Sequence, residues 1–277
     1  WWPYVRSVRT LATGDADGIA LDGYDLAAWR PIEPPPRLSC GATHCAPRSL
    51  AVVQGSLALA VGEGWGFWFD PIVGDSGSIQ EPDGLASFAD VAGGAAVTTP
   101  DGAVYVIGGT RADAPSSSVL AIAADGTLSY LALSSPRQGA AALWISGRGL
   151  VVVSGGDTSA AGAELLAEGA KAFAPLAQPP DTTRGAGLVA LDSGRVLRLG
   201  GRDGAQAAPS VELTLGCATS CDPKPAGDTI DLSAVSAYDL GAGRVLVVGV
   251  NDAGETLVFR WEAGTAAGVA LREFRRA

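Results

Sequence analysis

The side chains able to do chemistry are few, and they fall in three groups. The only histidine, His44, stands between two of the four cysteines in Cys40-Gly41-Ala42-Thr43-His44-Cys45, and the other two cysteines close Cys217-Ala218-Thr219-Ser220-Cys221. Thiolates and an imidazole in two close clusters could ligate zinc, or each cysteine pair could form a local disulfide. The second group is oxygen-rich: Asp15, Asp17 and Asp22 within Gly14-Asp15-Ala16-Asp17-Gly18-Ile19-Ala20-Leu21-Asp22-Gly23. Alternating carboxylates followed by glycine are the pattern of loops that wrap Ca²⁺, and the same residues are favoured in turns on conformational grounds alone. The third group is a set of arginines after proline or threonine, Arg48, Arg137 and Arg184, with the aspartates Asp113, Asp157, Asp203 and Asp252. A guanidinium offers a planar fork that fits a carboxylate, so these arginines could recognise an acidic group; equally, they could neutralise nearby aspartates and bond loop carbonyls. With one histidine, a Ser/His/Asp triad would have to use His44. Acids are plentiful enough for a two-carboxylate glycosidase, but no pair stands out.

Composition narrows the classes further. The chain has 277 residues, 47% hydrophobic and 17% charged, with a formal net charge of −10 and two lysines among 19 basic residues. Such a chain can bury a large core and is not of the disordered kind. The acidic balance disfavours contact with a nucleic-acid backbone. Apolar runs such as Leu57–Val61 and Arg244–Val250 are far shorter than the roughly 20 residues a membrane helix needs. The 38 glycines and 17 prolines point to a fold rich in turns.

The elements that must position these groups recur along the chain. A short apolar run ending in glycine closes at Gly14, Gly62, Gly108, Gly155, Gly200 and Gly249, at intervals of 48, 46, 47, 45 and 49 residues. A second glycine follows at 109, 156 and 201. Each repeat divides into four strand-like runs separated by turn residues; in the fourth these lie within 136–146, 147–157, 161–169 and 170–180. No window keeps helical periodicity over three turns, since Gly169 interrupts the nearest candidate, 163–173. The second run of each repeat is apolar on both faces, as a strand between two neighbouring sheets would be. Four short antiparallel strands per repeat, six times over with no helix, predict a six-bladed β-propeller of four-stranded blades, one domain over 1–277. The glycine pairs would then supply positive φ and close approach to the next blade.

The repeats resemble the kelch type, in its degenerate bacterial form. The matching elements are Pro47-Arg48, Pro136-Arg137 and Thr183-Arg184 before first strands, the runs Asp101–Gly109 and Ser193–Gly201, and Tyr24-Asp25 followed by Trp29, with Phe173 standing in for the tryptophan of the fourth repeat. The resemblance covers essentially the whole chain. Copper enzymes of this kind use two histidines, which this chain lacks. The topology it implies puts the two cysteine clusters on opposite faces, so the expectation is two disulfides, Cys40–Cys45 and Cys217–Cys221, and hence an oxidising compartment. The same topology gathers Arg48, Arg137, Arg184, Asp113, Asp157, Asp203 and Asp252 on one loop face. Trp65, Phe67 and Phe69 are expected on one side of a strand and Trp68 on the other, packed between blades.

At the ends, 28 residues follow Gly249 and 13 precede Gly14, short of a full repeat. The expectation is a native polypeptide extending upstream of Trp1, where a signal or lipid anchor would lie, and a first blade incomplete at its inner strand. The function expected is a non-enzymatic scaffold or accessory subunit binding other proteins in a bacterial periplasmic, outer-membrane or secreted complex, without a cofactor unless Ca²⁺. The alternative is a carbohydrate-active or other hydrolase using carboxylates at the central channel mouth.

Overall fold

The second to sixth repeats each fold as an antiparallel meander, seen most simply in the fourth. There Ala141–Ile145, Gly149–Val153, Ala163–Ala167 and Ala174–Leu176 pair in that order. The run 163–173, the nearest candidate for a helix, is a strand and a turn, with Gly169 at φ +75°. The computed structural model describes residues 7–15, 18–25, 30–31, 37–38, 49–54, 57–62, 64–70, 75–81, 87–217, 219, 221–262 and 269–274. Side chains are described from Leu59 to Glu262, with gaps.

The other repeats build sheets on the same plan. In the second, Ser49–Gln54, Leu57–Gly62, Trp65–Asp70 and Asp75–Ile79 pair in sequence. The third joins Ala95–Thr98, Val104–Ile107, Ala114–Ile122 and Leu128–Arg137, with Thr110–Arg111 added on Ala114–Ile122. The fifth joins Gly187–Asp192, Arg195–Leu199, Val211–Thr214 and Lys224–Pro225, and carries the hairpin Arg202–Asp203/Gln206–Ala207. The last joins Ser233–Gly241, Arg244–Val250, Thr256–Glu262 and Val269–Phe274. In the first, Ser7–Asp15 pairs Gly18–Asp25, which also takes Arg30–Pro31 and Arg37–Leu38. Among the described residues the one helix is the 3₁₀ turn Phe88–Val91, capped by Ser87 and Asp90. No described helix is long and apolar enough to cross a membrane.

From the second sheet onward, the first strand of each sheet packs against the first strand of the next, and the cores lie between consecutive sheets. Alternation along one strand feeds both. Val151 and Val153 join Ala186, Leu188, Val196, Val211 and Leu213 on the side of the fifth sheet, while Leu150 and Val152 join Ile107, Val119 and Leu133 of the third. This double burial is why Gly149–Val153 is apolar throughout. The Trp65 strand uses glycine to seat its rings: Trp65 lies over Gly62 and Trp68 over Gly77, where an added Cβ would come within 2.1 and 2.6 Å of the indoles.

Equivalent backbone bonds tie the loops of the third, fourth and fifth repeats together. The amides of Gly109, Gly155 and Gly201 donate to the carbonyls of Arg137 (3.0 Å), Thr183 (2.8 Å) and Leu232 (2.8 Å). At Gly109 the backbone has φ +109°, and a Cβ would stand 2.4 Å from the Ala92 carbonyl. Only glycine meets both demands.

The stretch that holds the calcium candidates is a hairpin in which Asp15 pairs with Gly18 and Asp22 lies in the second strand opposite Leu11. Asp17 lies outside the described residues.

Candidate functional site

In a meander the connection from second to third strand and the connection leading to the next repeat lie at the same end. That end collects Asp113, Asp157, Asp203 and Asp252 from the first kind of loop and Arg184 from the second. Arg48 lies outside the described residues.

Arg137 is not part of any surface there. It ends the strand Leu128–Arg137, and its side chain is fully buried. Its Nε and Nη2 each lie 3.0 Å from Glu164 Oε1, Nη1 donates to the Ser154 carbonyl (2.7 Å) and Nη2 to the Ala161 carbonyl (2.6 Å). The Ser134 amide donates to Glu164 Oε2 at 2.6 Å. The guanidinium is thus spent on holding the exit of the third sheet against the fourth.

A second buried cluster follows one repeat on. Arg198, at 5% exposure, donates through Nη1 to both Asp181 oxygens (2.7 and 2.6 Å) and to Thr183 Oγ1 (2.6 Å), and through Nη2 to the Pro209 carbonyl (3.0 Å). Ser154 links the two clusters, since its hydroxyl donates to Asp181 Oδ2 at 2.6 Å while its carbonyl accepts from Arg137. Neither Glu164 nor Arg198 stood out in the sequence. The available signal was a charged residue inside a run that otherwise reads as buried strand.

The exposed candidates are also largely spent. Asp157 Oδ1 accepts from the Ser159 hydroxyl (2.6 Å), the Ser159 amide (2.8 Å) and the Ala160 amide (2.9 Å); the Ser159 hydroxyl above all holds its pKa below the ordinary aspartate value. Asp203 Oδ1 accepts from Thr182 Oγ1 at 2.7 Å. Asp252 and Asp231 both bind the guanidinium of Arg202, the latter at 2.7 Å. Asp113 is exposed, with φ +64°, in the turn between Arg111 and Ala114.

Arg184 differs. It is exposed, and among the described residues its guanidinium has no hydrogen-bond or ion-pair partner. Every other arginine whose side chain is described donates to, or pairs with, an oxygen of the chain. Its backbone is fixed on both sides, the amide donating to the Arg202 carbonyl (2.8 Å) and the carbonyl accepting from the Arg202 amide (2.9 Å). Arg184 lines a depression of about 420 Å³ with Asp157, Thr158, Thr182, Gly156, Pro115 and Pro136. A second depression, about 270 Å³, meets it at Thr182 and is lined by Asp203 and the Arg198 cluster, with Gln178, Pro179, Pro180, Pro209 and Pro223. The structure therefore brings together Arg184 and Asp157, sets Asp203 beside them across Thr182, and leaves Asp252 on Arg202.

At the other end of the fifth sheet, Cys217 and Cys221 form the expected disulfide in the connection between third and fourth strands, with Cα atoms 6.0 Å apart. Cys40, His44 and Cys45 lie outside the described residues.

Among solved structures, the chain is similar to that of YjhT over 94% of its own length and 97% of the other chain, with a TM-score of 0.61 and 12% identity. It is similar to TolB from Acinetobacter baumannii, with a TM-score of 0.58 and 10% identity, over 96% of this chain and 65% of that one. The fold is a β-propeller. Consecutive four-stranded meanders packed through their first strands are that architecture's blades, and at these identities the likeness carries the fold alone. No protein-family model and no curated protein matches the sequence.

Proposed function

We propose that the chain is a six-bladed, kelch-type propeller acting as a non-enzymatic scaffold or accessory subunit, and that it binds a partner protein through the loop face bearing Arg184. The observation that carries this reading is how charge is distributed on that face. Asp157, Asp181, Asp203, Asp231 and Asp252 are each engaged by hydroxyls, amides or arginines of their own chain, as befits groups that shape loops. A glycosidase needs two carboxylates facing a substrate, one of them free to hold a proton. Among the described residues the groups left over on this face are the exposed Asp113 and Arg184, and only Arg184, a cation on a backbone bridged to Arg202, lines a depression there, as suits recognition.

The Cys217–Cys221 disulfide supports an extracytoplasmic setting, periplasmic or cell-surface, because such bonds persist where the medium is oxidising. Affinity purification of the tagged protein from its own cells under mild conditions tests the function. A stoichiometric protein partner, lost when Arg184 and Asp203 are both replaced by residues of opposite charge, is the expected result. Recovery without a partner, together with turnover of glycoside substrates by the purified protein, would replace the scaffold with the hydrolase.

A further inference from the structure

We propose that Arg184 and Asp157 together form a dipolar docking point for a partner segment that presents an acidic and a basic side chain close together. The inference rests on the reading of this face as an interaction surface and names what it takes.

Arg184 and Asp157 line the same depression without pairing with each other. The arginine fork is free. Asp157 uses Oδ1 for its three intrachain bonds and leaves Oδ2 without one, and its lowered pKa keeps it charged. Thr158 adds a hydroxyl without a partner among the described residues, and Pro115 and Pro136 give apolar walls. The site is held ready: Arg184 is clamped by its two-way bridge to Arg202, and Asp157 by its own turn. Fixed groups lose little freedom on binding.

Charge decides the ligand class. A purely anionic ligand would approach a chain of net charge −10 and meet Asp157 beside the arginine. A purely cationic one would meet Arg184. A segment offering a carboxylate to Arg184 and an ammonium or guanidinium to Asp157 satisfies both, and complementary potentials select it over either singly charged competitor.

The test uses the whole protein and a blocked peptide, acetyl-Gly-Glu-Gly-Lys-Gly-amide, titrated while the Arg184 Nε–H and the Thr158 amide are followed by NMR. Both signals should shift saturably. Binding should weaken about tenfold when the peptide's Glu is changed to Gln, when its Lys is changed to norleucine, and in Arg184→Gln, since each change removes one charged partner of the pair. Arg184→Gln should unfold at the wild-type temperature, because the side chain has no hydrogen-bond or ion-pair partner among the described residues. Equal binding of the Glu and Gln peptides, or no saturation up to about 20 mM, where binding free energy is only a few kcal/mol, overturns the proposal. If Arg184→Gln keeps a stoichiometric native partner, the docking point falls while the interaction reading stands.

Discussion

Arg137 and Glu164, 27 residues apart in the chain, meet at 3.0 Å with neither side chain exposed. The pair sits where the third sheet hands over to the fourth, and its further bonds go to the Ser154 and Ala161 carbonyls, the Ser134 amide and the Ser135 hydroxyl. A buried pair of this kind contributes little over an apolar pair, but removing one partner strands the other. Glu164→Leu or Arg137→Met alone should therefore cost about 3–5 kcal/mol, and the double variant clearly less than the sum. Urea unfolding of the three variants measures this, and additive losses would show that the two side chains act independently.

Two turn glycines of the third sheet, one at each end, separate conformational from steric demand. Gly109 has φ +109° and a backbone carbonyl 2.4 Å from where a Cβ would be, whereas Gly126 has φ +84° and open space around it. Gly126→Ala should cost about 1–2 kcal/mol, the price of a left-handed alanine. Gly109→Ala should cost clearly more, because the Ala92 carbonyl must move as well. Equal shifts in melting temperature would remove the claim that close approach, and not φ alone, selects glycine there.

The repeats were legible because second strands such as Gly149–Val153 and Arg195–Leu199 are buried on both faces. Aliphatic residues dominate such strands, and the glycine that follows sits where a Cβ would clash; both constraints write themselves into local sequence. The charges were harder to read. Arg137 follows Pro136 just as Arg184 follows Thr183, yet one side chain turns into the interior and the other outward, and what decides this is Glu164, which belongs to the next sheet. Arg198 lies in Arg195–Leu199, where it reads as an interruption of an apolar strand; its partners Asp181 and Thr183 are 17 and 15 residues away. Asp15 and Asp22 have the composition of a metal loop and of a hairpin alike, and the hairpin itself, Asp15 opposite Gly18, is visible only in the strand pairing.

The Cys217–Cys221 bond should be a local staple. It closes a loop of about five residues, for which chain-entropy arguments give about 2 kcal/mol. The Cys217→Ser/Cys221→Ser variant should fold and unfold at a moderately lower temperature. Peptide mapping without reductant should return one fragment linking the two cysteines, and free thiols at both positions in protein from an oxidising medium would contradict the bond.

Tyr130 gives the fold a sensitivity to alkali. Burial, aided by the nearby carboxylates of Glu81 and Asp90, pushes its pKa from 10.0 up to about 12, and its hydroxyl is buried with no hydrogen-bond partner. In the unfolded chain the phenol ionises near pH 10, while in the folded chain it stays neutral to about pH 12. The folded state therefore holds its proton longer, so stability is fully present below pH 10 and falls as pH rises through that window. Tyr130→Phe removes both the titration and an unsatisfied polar group, whose burial costs about 1–3 kcal/mol. The variant should be no less stable than the wild type at pH 7 and should lose less stability between pH 10 and 12. Parallel melting curves across that range decide it: an unchanged pH slope would mean that the Tyr130 hydroxyl reaches water in the folded protein.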